Sequence, residues 1–139
     1  MTMVIDASVA ISWVSDDEND PLAEYARSLV VNNGGTVPQL WFLELANILA
    51  LRERKGRITS SQVSETIADL GSLKLVVDGE AGVHAFGSIL TLAQRHRLSS
   101  DDATYLELAI RKSLPLATLD RALAAAAKLE GVPEVHPPA

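Results

Sequence analysis

Short apolar runs alternate along this chain with longer stretches of helical period. Met3-Val4-Ile5, Thr36-Val37, Leu73-Lys74-Leu75-Val76-Val77 and Pro115-Leu116-Ala117-Thr118 read as strands. Helices are expected over about 7–14, 21–32, 39–55, 59–70, 80–97, 99–112 and 121–130, and a last short strand near Glu134-Val135. Asn33-Gly34-Gly35, Gly56 and Gly131 stand where helices should stop, and Thr59 where one should be capped. Strands that alternate with helices predict an α/β fold with a short, mainly parallel central sheet flanked by helices. In such sheets ligands bind beyond the carboxyl ends of the strands, so the chemistry is sought there.

Nothing in the sequence divides the chain. No repeat, low-complexity tract or proline-rich linker interrupts it, and one domain over 1–139 is expected. Residues 133–139 form a short tail in which Pro133, Pro137 and Pro138 discourage helix. The stretch 15–21, with Asp16, Asp17, Glu18 and Asp20, reads as a solvated turn. The absence of cysteine excludes disulfides, thiolate catalysis, iron–sulfur clusters and cysteine–zinc sites, and fits a reducing cytosol. The N-terminus does not read as a signal peptide and no apolar run is long enough to span a bilayer, so a cytoplasmic protein without membrane partners is expected. Acids outnumber bases 18 to 12, for a net charge of −6, which disfavours free electrostatic sliding along nucleic acid. It leaves open nucleic-acid chemistry at carboxylates neutralised by a bound metal.

Four acids carry the functional signal. Asp6 ends the first strand and Asp120 follows a later one; if the two strands are parallel, both carboxylates lie on one edge of the sheet. Each also stands where it could cap the helix that follows. Asp102 begins a helix, with Ser99 in the S-x-x-D relation of a capping box and Asp101 complementing the helix dipole. Glu44 lies in Leu40-Trp41-Phe42-Leu43-Glu44-Leu45-Ala46-Asn47-Ile48-Leu49-Ala50-Leu51, a segment apolar on every side except Glu44 and Asn47. A helix of that kind is normally buried, and a buried carboxylate needs a structural partner, an arginine or a helix end, or else faces an enclosed polar site. Acids that converge repel one another, and a divalent cation resolves the repulsion. Oxygen-only ligation suits Mg²⁺ or Mn²⁺, which makes the set a candidate for metal-assisted phosphodiester hydrolysis.

In order and spacing, Val4-Ile5-Asp6-Ala7-Ser8-Val9, Glu44-Leu45-Ala46-Asn47, Asp102-Ala103-Thr104-Tyr105-Leu106-Glu107-Leu108-Ala109 and Thr118-Leu119-Asp120 resemble the motifs of PIN-domain ribonucleases, most closely the VapC-type toxins of bacterial toxin–antitoxin pairs. The resemblance covers essentially the whole chain. It implies a PIN-like fold and a Mg²⁺- or Mn²⁺-dependent endoribonuclease. Asp6, Glu44 and Asp102 would hold the metal, Asp120 would complete the site directly or through water, and Ser8, Asn47 and Thr118 match supporting polar positions. It further implies a homodimer held inactive by an antitoxin. The position before the third acid, often aromatic in the family, is Asp101 here.

The basic segment Arg52, Arg54, Lys55 and Arg57, and the pair Arg95 and Arg97, end helices whose dipoles favour cations; they are also the first candidates for contact with an RNA backbone. His84, His96 and His136 show no metal-ligand spacing. Trp13, Trp41 and Phe42 read as core or dimer surface, and the alanine run from Ala122 to Ala127 as a tightly packed helix. Two rival readings stand beside the nuclease. One is a non-enzymatic interaction module whose acids are helix caps. The other is an Asp-based phosphotransfer domain, which lacks a second aspartate at Ser8 and a lysine after Thr118.

Overall fold

The structure, a computed structural model, describes residues 2–14 and 20–138. The turn expected over 15–21 falls mostly outside the described residues. The elements run β1 (Val4–Ile5), α1 (Ala7–Trp13), α2 (Pro21–Asn33), β2 (Gly35–Pro38), α3 (Leu40–Arg54), α4 (Ser60–Gly71), β3 (Leu75–Asp78), α5 (Ala81–His84), α6 (Leu90–His96), α7 (Ser100–Lys112), β4 (Leu116–Ala117) and α8 (Arg121–Leu129). Local chemistry sets several of these boundaries. Asp20 accepts the amides of Leu22 and Ala23 at 2.8 and 3.3 Å, with Pro21 in the first helical position of α2. Thr59 and Gln62 form a full capping box at the start of α4. Gly34 ends α2 at φ +79°, and a Cβ there would lie 2.6 Å from the Lys74 carbonyl oxygen, so only glycine lets β2 close on β3.

The four strands lie in the order β3-β2-β1-β4 and pair in parallel, as expected. The final strand expected near Val135 is a single parallel bridge from Leu116 to Glu134. This order places functional residues. From β1 the chain steps outward to β2 and β3, then returns to the other side of β1 to make β4. The direction of winding therefore reverses between β1 and β4, and the crevice at their carboxyl ends is where such sheets bind ligands. Asp6 leaves β1 there, and Thr118 and Asp120 leave β4. Val4, Ile5, Val37 and Leu116 from the strands pack with Val9, Trp41, Tyr105, Leu106, Leu108 and Leu123 from the helices in the buried core.

Two expectations about helices need correction. The helix expected over 80–97 is broken. Its middle, Ala85–Ile89, is a π-helical segment, and Gly87 leaves the helical region at φ −106°, ψ −109°. A residue without a Cβ accepts that kink, and wide turns of this kind are often found as insertions between α-helical stretches. The second correction concerns α3. Its buried residues are Trp41, Leu45 and Leu49, spaced four apart, with Leu40 partly buried against the core. Phe42 and Leu43 stay 43% and 69% exposed, and Asn47 is exposed as well. The segment is apolar all round but buried along one stripe, which leaves Glu44 at the border rather than deep inside.

An ion cluster fastens α7 to the carboxyl end of β3. Arg111 donates to both oxygens of Asp78 at 2.9 Å, to Glu107 at 2.7 Å and to Glu80 at 2.9 Å. Asp78 and Glu107 are buried. The guanidinium holds the Asp78 carboxyl below its usual range. Among the described residues no helix is long and apolar enough to cross a membrane.

Candidate active site at the carboxyl edge of the sheet

Asp6 precedes α1 with extended backbone, φ −72° and ψ 149°, yet its side chain makes no capping hydrogen bond. The capping alternative is set aside for this residue. Instead Ser8 Oγ and Thr118 Oγ1 each donate to Asp6 Oδ2 at 2.7 Å. Both hydroxyls are aimed by backbone beyond β4, since the Leu119 amide donates to Ser8 Oγ and the Asp120 amide to Thr118 Oγ1, each at 3.0 Å. The chain leaving β4 thus orients the carboxylate leaving β1. Both hydroxyls converge on one oxygen and neither engages Oδ1. Burial pushes the Asp6 carboxyl up, opposed by the two hydroxyls and reinforced by the charge of Asp120.

Asp120 does act as a cap, its Oδ1 accepting the Leu123 amide at 3.0 Å at the start of α8. Its charge also bears on Asp6 and Asp102, so capping and membership of the acidic group coexist. In α7, Ser99 Oγ accepts the Asp102 amide at 3.1 Å, which is the Ser99 half of the expected capping box. The Asp102 carboxyl is raised to about 6 by burial, then by the charges of Asp120, Asp6 and Asp101. Glu44 reaches the group from α3. It is half-buried, its partner is neither an arginine nor a helix end, and its Oε1 accepts the Tyr105 hydroxyl at 2.7 Å. Burial raises Glu44, Tyr105 opposes this, and Asp6, Asp101 and Asp102 add to it.

The acids are linked through their charges: Asp120 acts on Asp6 and Asp102, and Asp6, Asp102 and the exposed Asp101 act on Glu44. Among the described residues, no three acidic or histidine side chains are already drawn together as a cage that could hold a metal ion. The donor set is all oxygen, which fits a hard divalent cation, and the mutual repulsion is of the kind such a charge relieves.

The raised Asp102 carboxyl has a consequence for stability. The folded protein keeps this proton up to about pH 6, while an unfolded aspartate releases it near 3.8. Between those values the folded state binds more protons, so this group's contribution is fully present below 3.8 and is lost as pH rises through 6. Metal-free Asp102→Asn protein should match wild type near pH 3.5 and exceed it by about 1–2 kcal/mol at pH 7, after allowance for solvent screening. Denaturant unfolding across that range checks this, and a variant that is less stable at pH 7 would contradict it.

The PIN domain family matches residues 3–129. This chain belongs to the PIN domain family. Two solved structures share the fold of this PIN domain over nearly its full length. PAE2754 from Pyrobaculum aerophilum is 25% identical with a TM-score of 0.70, covering 97% of this chain and 84% of that one. FitAcB from Neisseria gonorrhoeae is 17% identical with a TM-score of 0.58, covering 97% of each chain, a likeness of fold alone. No curated protein matches the chain.

The basic residues of this PIN domain divide by their engagement. Arg54, Lys55 and Arg57 are exposed around the C-terminus of α3, and Arg52 donates to the Val14 carbonyl at 3.4 Å. Arg95 is committed to Glu130 at 2.7 Å, beside His96 at 2.5 Å, and together they hold the Glu130 carboxyl below its usual range. Arg97 is exposed and ends α6 in the left-handed region at φ 55°. Sequence reasoning missed Tyr105 as a member of the site. Its spacing from Asp102, three residues along one helix face, was the available signal.

Proposed function

We propose that this PIN domain is a Mg²⁺- or Mn²⁺-dependent endoribonuclease, the toxin of a VapC-type toxin–antitoxin pair. The observation that supports the reading is electrostatic: Asp6 and Asp120 leave neighbouring parallel strands at one edge of the sheet, and burial and like charge raise the carboxyls of Asp6, Glu44 and Asp102 above their usual range. Asp6, Glu44 and Asp102 would hold the cation, with Asp120 completing the set directly or through water. When bound, such an ion stabilises charge on a phosphoryl group and supplies a water acidic enough to attack it. The protein's own part is positioning. Ser8 and Thr118 fix the Asp6 carboxylate, and the Asp120 side chain is held by its cap on α8.

The RNA backbone would be met by exposed cations, with Arg54, Lys55 and Arg57 showing, among the described residues, no ion pair like the one that occupies Arg95. A homodimer and an antitoxin are the partners proposed. Leu43 on α3, Val83 on α5 and Phe86 in the π segment are strongly exposed apolar side chains that such a partner could cover. The interaction-module alternative is weakened because Asp6 caps nothing. The phosphotransfer alternative is weakened because Ser8 stands where its second aspartate is needed and is spent on Asp6.

The test is incubation of the purified protein with a defined set of structured RNAs in Mg²⁺, Mn²⁺ or EDTA. Cleavage at discrete positions with either metal, and none in EDTA, is expected. Cleavage undiminished by EDTA would contradict the proposal, as would phosphate stably incorporated on Asp6 from a phosphodonor.

A further inference from the structure

Tyr105 lies on α7 three residues beyond Asp102, with its ring wholly buried in the core. A phenylalanine would fill that space equally well. What the tyrosine adds is a hydroxyl, and that hydroxyl donates to Oε1 of Glu44, on α3, at 2.7 Å. Glu44 has the longest side chain of the four acids, and it faces the charges of Asp6, Asp101 and Asp102. Left alone, a half-buried glutamate beside three aspartates would turn toward solvent. A buried donor on a rigid helix opposes that turn and favours the ionised carboxylate. The arrangement parallels Asp6, where Ser8 and Thr118 converge on Oδ2. In both acids one oxygen is fastened by hydroxyls of the protein.

We infer that Tyr105 is a positioning residue, its hydroxyl fastening one oxygen of Glu44 so that the carboxylate is kept among the aspartates for a divalent cation. This rests on the metal-site reading given above. Outer partners that orient ligating carboxylates typically change metal affinity by about 10–100-fold when removed.

The test is a Mn²⁺ titration of the full chain, followed by the electron-spin signal of free Mn²⁺, on wild type, Tyr105→Phe, Glu44→Gln and the double variant. Melting of each without metal confirms that it is folded. Tyr105→Phe should weaken Mn²⁺ binding about 10-fold or more. In the Glu44→Gln background the same change should do nothing further, because the hydroxyl acts only through that carboxylate. A purely structural role for Tyr105 would instead weaken both backgrounds alike. Unchanged Mn²⁺ affinity in Tyr105→Phe, or an equal loss in both backgrounds, overturns the inference while leaving the site intact. Wild-type protein that binds no Mn²⁺ overturns the site and the inference with it.

Discussion

An Asp6→Asn protein is expected to fold as wild type does and to lose RNA cleavage by at least about 100-fold, the scale on which single electrostatic groups at a reacting centre act. The fold should survive because asparagine keeps the volume and keeps an amide oxygen. That oxygen can accept the hydroxyls of Ser8 and Thr118 as Asp6 Oδ2 does now. What is lost is the charge. In the metal-free protein that charge is unfavourable, since burial and the neighbouring Asp120 both act against it. The substitution therefore separates two roles that are usually entangled, removing the proposed ligand charge without removing a structural bond. Cleavage of the RNA that wild type cuts, measured on preparations made in parallel, checks the loss. An Asp6→Asn protein as active as wild type would remove Asp6 from the site.

The largest effect on stability is expected from Arg111→Ala. Side chains of Asp78 and Glu107 are each only 5% exposed, and Arg111 pairs with both. Glu80 is 61% exposed and contributes little to the cluster. Removing the arginine leaves Glu107 without its guanidinium partner and Asp78 with only the Glu80 amide at 3.2 Å, on opposite sides of the contact between α7 and β3. His84 Nδ1, 3.7 Å from Glu107, is a poor substitute. Breaking a buried pair from one side costs about 3–5 kcal/mol, a large part of the 5–15 kcal/mol that holds a typical domain together. Denaturant unfolding should show a loss of that size at neutral pH. The loss should shrink in acid, because a carboxyl held below its usual range stabilises above its unfolded value and ceases to do so as pH falls through its folded one. A loss under about 1 kcal/mol at neutral pH would mean that the cluster is solvated like an ordinary surface pair.

The fold was legible because its signals are local. Apolar runs, Gly34, Gly56 and Gly131, and the Thr59 cap each mark a boundary without reference to distant residues. The site was legible in part for a similar reason. A strand-end position is a sequence property, and parallel pairing of β1 with β4 then carries Asp6 and Asp120 to one edge. Contacts that depend on tertiary placement were not legible. Glu44 meets Tyr105 across 61 residues, and Arg111 meets Asp78 across 33. No periodicity reports such a meeting. The exposed side of α3 was misread because composition says how apolar a helix is, while its neighbours decide how much of it they cover. Gly87 was passed over because a single glycine inside a helical pattern is usually tolerated, and here it is where the helix breaks.

Asp6, Glu44 and Asp102 are proposed to stand at the sheet edge for a cation, with Asp120 both beside them and capping α8. Melting of wild type and Asp6→Asn, each with and without millimolar Mn²⁺, tests that proposal most directly. Mn²⁺ is expected to raise the wild-type melting temperature by mass action and to raise that of Asp6→Asn much less, and without metal the variant is expected to melt at or above wild type. No response of wild type to Mn²⁺, together with a metal-free variant destabilised by the roughly 0.5–2 kcal/mol of a lost cap, would contradict it.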